Sequence, residues 1–136
     1  MLEEDMSMTP LPAQIKILLL KQRELYLIGR VTELDEEPSI LIENCHEIIE
    51  CAEWGEDPEE LVRRATSLEG NHYKISARKV EDGAVDKKDW YTYEYLILRR
   101  YPKFSAQRDL FLTSDSIFTI LDPEPGVLDL YRKIAG

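Results

Sequence analysis

Gly29-Arg30-Val31-Thr32-Glu33-Leu34-Asp35-Glu36-Glu37-Pro38-Ser39-Ile40-Leu41-Ile42-Glu43-Asn44 joins two β patterns through an acidic turn. Leading into it, Leu25, Leu27, Gly29 and Val31 alternate with Glu24, Tyr26, Ile28, Arg30 and Thr32. A period of two predicts a strand with one buried face. Gly29 falls inside that strand, where a missing side chain marks a sharp bend or a close backbone approach. Asp35-Glu36-Glu37-Pro38-Ser39 predicts a turn, because the acids repel one another and proline cannot donate to a central ladder. A second strand follows from Ile40 to Ile49, with Ile40, Ile42 and Ile48 on one side and Leu41, Cys45 and Ile49 on the other.

Working outward, Ile15 to Lys21 is apolar and β-rich, and Gln22-Arg23 links it tightly to the next strand. On the far side, Asp57-Pro58-Glu59-Glu60 predicts a helix start: an N-cap, proline at the first helical position and acids facing the helix dipole. Leu61, Val62, Ala65 and Leu68 form its apolar stripe, and Gly70-Asn71 ends it. Strands are expected over Tyr73–Val80 and Trp90–Arg100, separated by a polar segment with Asp82-Gly83 as a turn signal. Tyr91, Tyr93, Tyr95 and Ile97 share one face of the second, a period that indicates core or interface packing. Trp54 and Trp90 likewise indicate packing. Leu110–Leu112 and Ile117–Leu121 predict two short strands around Thr113-Ser114-Asp115-Ser116. Val127, Leu128, Leu130, Tyr131 and Ile134 predict a final amphipathic helix. Hairpin-like links without βαβ alternation indicate a mainly β fold, a small, strongly bent antiparallel barrel with an inserted helix and strands and a short C-terminal helix.

The chain has 136 residues, which predicts one domain over residues 13–136 behind an acidic, mobile tail over residues 1–12, where Pro10 and Pro12 block a helix. Its formal net charge is −10, which repels phosphate and disfavours a general nucleic-acid binder. The charge is uneven: residues 1–60 hold 16 acids and 4 bases, residues 61–136 hold 11 acids and 13 bases. Such a field favours head-to-tail contact between copies. Arg99, Arg100, Lys103 and Arg108 form a basic cluster around Tyr101 and Phe104, a combination that can track a single strand by charge and stacking. The longest apolar run, Ile17–Leu20, is far short of a membrane span, and the acidic start lacks the basic residues of a targeting signal. Two cysteines are too few for a secreted disulfide scaffold, so the expectation is a cytoplasmic protein without membrane contact.

Catalytic and metal chemistry lacks a pattern. The sequence has no glycine-rich phosphate loop, and its two histidines, His46 and His72, stand in no nucleophile–base arrangement. Cys45, His46, Cys51 and His72 lack the short spacing of a zinc knuckle. The acid clusters have no calcium-loop pattern. The expectation is a non-enzyme without metal or cofactor.

Gly29–Asn44 resembles, without a gap, the first motif of the Sm-like (LSm/Hfq) family: a glycine, an aliphatic residue, an apolar residue before Asp, then an aliphatic–acid run. Leu110–Ile120 resembles the second motif, in which two short strands flank a turn, and Ile15–Leu27 is similar to the family's first hairpin. The long segment between them, about residues 52–103, together with the acidity, is similar to the divergent members found in cyanobacteria and their phages. The resemblance implies a five-stranded barrel bent at Gly29. It also implies a homo-oligomeric ring in which the fourth and fifth strands, here 110–112 and 117–121, pair between copies through Phe118 and Ile120. In the family the two motifs surround an RNA base, which would place Asp35, Ser39, Thr113, Ser114 and Asp115 at the base and Arg99, Arg100, Lys103 and Arg108 at the phosphates. Ser39 stands where the family has Asn, and Thr113 and Ser114 where it has Arg and Gly, so the pocket lacks its cation. Two readings follow: a ring that contacts single-stranded RNA weakly and in a salt-sensitive way, or an acidic scaffold with a vestigial pocket that docks a basic protein.

Overall fold

The structure, a computed structural model, describes residues 14–69, 71–80 and 89–135. The tail expected over residues 1–12, the helix stop at Gly70 and the Asp82-Gly83 turn lie outside these residues. The elements in chain order are β1 (Gln14–Leu20), β2 (Tyr26–Glu33), β3 (Ile40–Gly55), α1 (Pro58–Glu69), β4 (Tyr73–Val80), β5 (Trp90–Arg100), β6 (Leu110–Leu112), a 3-10 turn (Ser114–Ser116), β7 (Ile117–Leu121) and α2 (Pro125–Ala135). All strand pairs are antiparallel, in the order β4-β5-β3-β2-β1-β7, with β6 also on β3. The expected mainly β, curled antiparallel architecture is present. The sheet curls into a half-barrel, since β6 and β7 do not pair with each other.

Gly29 sets the bend. The β2–β3 register slips between Ile28 and Arg30, and a Cβ built on Gly29 would stand 2.7 Å from both the Glu43 carbonyl oxygen and Ile42 Cγ1. Only glycine allows the two strands this approach.

Asn44 sets the second bend. It adopts the left-handed conformation (φ 52°), which asparagine tolerates better than most residues. The irregularity flips the side-chain alternation of β3. Cys45 therefore joins Ile40 and Ile42 in one core, and Ile48 turns to the opposite face. Strict alternation had separated Cys45 from Ile40 and grouped Ile48 with it; the left-handed residue between them reverses both assignments. β3 also runs on to Gly55, six residues past the expected end at Ile49. Its outer edge serves two partners in turn, β6 along Ile40–Ile42 and β5 along His46–Gly55. The segment 52–103 thereby continues the sheet.

Three apolar clusters hold the layers. Leu18, Leu27, Val31, Ile40, Ile42 and Cys45 fill the concave side. Ile28, Leu96 and Leu98 face the other way and are covered by Val127, Leu130 and Tyr131 of α2. Leu61 and Ala65 of α1 pack on Tyr93, Tyr95 and Ile97, on the face of β5 opposite α2. Fully buried side chains such as Leu18, Ile28 and Ile42 each contribute roughly 1.5–3 kcal/mol of transfer free energy. The cap on α1 is as expected, with Asp57 Oδ1 accepting from the Glu59 N–H at 3.0 Å. Trp54 departs from its expected packing role, being 55% exposed near the end of β3.

Candidate functional site

The turn after β2 and the turn after β6 meet through one carboxylate. Glu37 Oε1 accepts from the Ser39 N–H at 2.9 Å and from the Ser114 N–H at 3.0 Å, and Glu37 Oε2 accepts from the Ser114 hydroxyl. The Ser114 hydroxyl and backbone hold the Glu37 carboxyl well below its ordinary value of 4.5, at about 2. Its protonation therefore costs the clasp: the contact is intact above the ordinary value and is lost as the pH falls toward 2. Thr113 donates to Asp115 Oδ1 at 2.8 Å, and the Ser116 hydroxyl donates to the Thr113 carbonyl at 2.7 Å.

Of the expected base-contacting residues, Ser39, Thr113, Ser114 and Asp115 gather at this clasp, and Asp35 stands exposed in the same turn. The residue that organises them, Glu37, was legible only as one of three acids in a turn. Its partner lies 77 residues away, so no local pattern points to it.

Arg99, Arg100, Lys103 and Arg108 are all exposed, and they sit at the other end of β6 from the clasp. Three residues of strand span roughly 10 Å. Phe104, at φ 61°, projects from this loop completely into solvent, with a relative exposure of 104%. The loop is anchored where β3 changes partner: the Cys45 N–H donates to the Arg108 carbonyl at 2.9 Å, and the Tyr101 N–H to the Cys45 carbonyl at 3.2 Å.

Beside that anchor, Asn44 ties β3 to the loop before β6 and to α2. Its N–H donates to Asp109 Oδ1 at 3.0 Å, and its Nδ2 to the carbonyl of Ala135, the last residue of α2, at 3.0 Å. Its own carbonyl accepts from the Tyr131 hydroxyl at 2.7 Å and from His46 Nδ1 at 3.1 Å. Burial holds the His46 pKa below its ordinary value, and the nearby Arg100 and Arg108 push the same way against the Asn44 bond. Burial pushes the Cys45 thiol up to about 12, so it stays protonated and packs as a small apolar group.

The outer strands carry apolar side chains into solvent. Phe111 of β6 is 59% exposed and Phe118 of β7 is 70% exposed. Ile120 pairs with the fully buried Leu18, so it lies on the core face, yet it is 37% exposed. The concave apolar surface thus reaches solvent at the free side of β7.

Elsewhere, a cleft of about 270 Å³ between α1 and β4–β5 is walled largely by Pro58, Leu61, Val62, Ala77, Tyr91 and Tyr93. Next to it His72 Nε2 lies 2.7 Å from the Tyr93 hydroxyl. Among the described residues no group of three or more His, Cys, Asp or Glu could hold a metal ion, and no helix is long and apolar enough to cross a membrane. Comparison with protein-family models, curated proteins and solved structures finds no match.

Proposed function

We propose that this chain is an Sm-like, self-assembling binding module whose copies pair β6 with β7 into a ring, with its acidic charge left to dock a basic protein partner. One observation carries the reading. The core strands follow the order β7-β1-β2-β3-β6, so the strands matching the family's fourth and fifth are outermost, and both carry exposed aromatic side chains. Open edges of this kind seek partners, and two different edges on one molecule give a heterologous contact that closes on rotation. Sedimentation velocity tests it: the wild type runs as a multi-copy species, and Phe118→Glu reduces it to monomer with unchanged circular dichroism. A monomeric wild type overturns the proposal.

The Glu37 clasp favours the scaffold reading over a base pocket at Asp35, Ser39, Thr113, Ser114 and Asp115. Its carboxylate already takes the Ser39 and Ser114 donors and brings negative charge to the place where a nucleic acid would approach. The second reading, weak contact with single-stranded RNA, is supported by Phe104 within the Arg99, Arg100, Lys103 and Arg108 loop, where stacking and charge combine. It predicts salt-sensitive filter binding of U-rich or A-rich oligonucleotides that Phe104→Ala weakens by roughly ten-fold or more. No retention at low salt rejects it.

A further inference from the structure

At the opposite end of the sheet from β7 lies another edge. β4 has one strand neighbour, β5, among the described residues, so alternate N–H and C=O groups along Tyr73–Val80 point away from the sheet. The register fixes its two faces. Ala77 and Lys79 stand opposite Tyr93 and Tyr91 and share the α1 face, while Ser76 and Arg78 stand opposite Glu94 and Thr92 on the other. The cleft of about 270 Å³ lies on the α1 face, with the exposed Ala77 on its β4 wall and Val62, 41% exposed, on its α1 wall. Sites for free organic ligands run from about 300 to 1,000 Å³, so this volume suits single side chains of a longer segment better. The strand reads Tyr73-Lys74-Ile75-Ser76-Ala77-Arg78-Lys79-Val80, with three bases and no acid in a chain of net charge −10. Glu81 and Asp82 follow in the sequence, so the basic stretch is confined to β4. Lys79 pairs with Asp89 at 3.1 Å, and on α1 Arg63 pairs with Glu60 at 3.1 Å. Lys74 and Arg78 have no ion-pair partner among the described residues, although Glu94 shares the Arg78 face. Asp57 and Glu59 stand at the start of α1, across the cleft.

We propose that this edge docks an extended acidic segment of a partner protein, which adds to β4 as a further strand in which apolar side chains alternate with carboxylates. The apolar side chains lie on the α1 face and enter the cleft beside Ala77, where Asp57 and Glu59 disfavour a carboxylate. The carboxylates lie on the opposite face and meet Arg78. A strand outside β4 has only β4 side chains directly beside it. The acids of β5 are two strand spacings away, roughly 10 Å, beyond the screening length of about 8 Å at physiological salt. The same charges exclude a second copy, since two β4 strands side by side would set three bases against three. Basic side chains on an edge commonly deter pairing with further copies. For a strand that carries acids they become an attraction; main-chain hydrogen bonds then supply affinity and the cleft supplies selectivity. The bulge between Lys74 and Ser76 confines regular pairing to residues 76–80. Neither β6 nor β7 takes part, so the inference stands apart from edge pairing between copies.

Fluorescence anisotropy on the full chain tests this, with a labelled peptide of alternating leucine and glutamate as long as β4 and a second of alternating leucine and lysine. The glutamate peptide is expected to bind saturably, and the lysine peptide at least about ten-fold more weakly. Arg78→Glu is expected to weaken the glutamate peptide about ten-fold and to strengthen the lysine peptide. Ala77→Phe, which fills the cleft, is expected to weaken the glutamate peptide by a similar factor, and circular dichroism checks folding of both variants. Hydrogen exchange is expected to slow over residues 73–80 in the bound chain, as the new strand takes up the outer amides. No saturable binding, equal binding of the two peptides, or wild-type affinity in both variants would overturn the proposal. Binding without slower exchange over residues 73–80 would confine the contact to the cleft and overturn strand addition. A change in the sedimentation of the chain alone on Arg78→Glu would give the edge to a second copy and overturn the assignment.

Discussion

His46 shows how a single buried group ties pH to folding. It is buried to 4% exposure between Asn44, whose carbonyl it bonds, and the ring of Tyr131, which it meets edge-on at 5.6 Å. The charges of Arg100 and Arg108 act on it as well, in the same direction as burial. Its pKa is lowered from 6.5 in the folded chain, so the unfolded chain binds more protons between the lowered value and 6.5. Stability is therefore complete above 6.5 and declines as the pH falls through that window. Urea titrations at pH 7 and pH 5 are expected to show lower stability at pH 5, with a smaller difference in His46→Gln; an equal difference in the variant would assign the effect elsewhere, His72 being also lowered by burial. At this scale the sequence was only partly readable. Asp57 as a cap rests on neighbours in the chain and could be seen. Glu37 and Asn44 act on residues 77 and 91 positions away, Ser114 and Ala135, and local pattern carries no trace of such partners.

Among the elements, β2 and β3 carry the architecture because each contains one residue that breaks regularity. Gly29 was legible as such, since glycine within an alternating strand has few other uses. Asn44 was not, because an asparagine between Glu43 and Cys45 reads equally well as a polar member of a regular strand. That one left-handed residue moved Cys45 and Ile48 to faces opposite those expected from strict alternation. The end of β3 lies beyond what composition indicates: Glu50, Glu53 and the exposed Trp54 look unlike strand core, but β5 pairs with them throughout. Tertiary pairing overrides composition there. The short strands β6 and β7 matched their expected limits because the Thr113–Ser116 turn separates them cleanly. Gly29→Ala places a methyl 2.7 Å from a backbone oxygen that cannot move aside, and is expected to cost about 1–3 kcal/mol in urea unfolding. A neutral result would mean that β2 and β3 can separate there without loss.

For the molecule as a whole, the interior is well covered on two sides and open on one. α1 and α2 cover opposite faces of β5, while the concave core runs to Ile120 at the free side of β7. The acidic bias of residues 1–60 was plain in the sequence. Native mass spectrometry of the full chain at moderate salt tests most directly whether the β6 and β7 edges join. The account predicts a single discrete multi-copy species, as a closed heterologous ring requires. A monomer that persists at high protein concentration would contradict it.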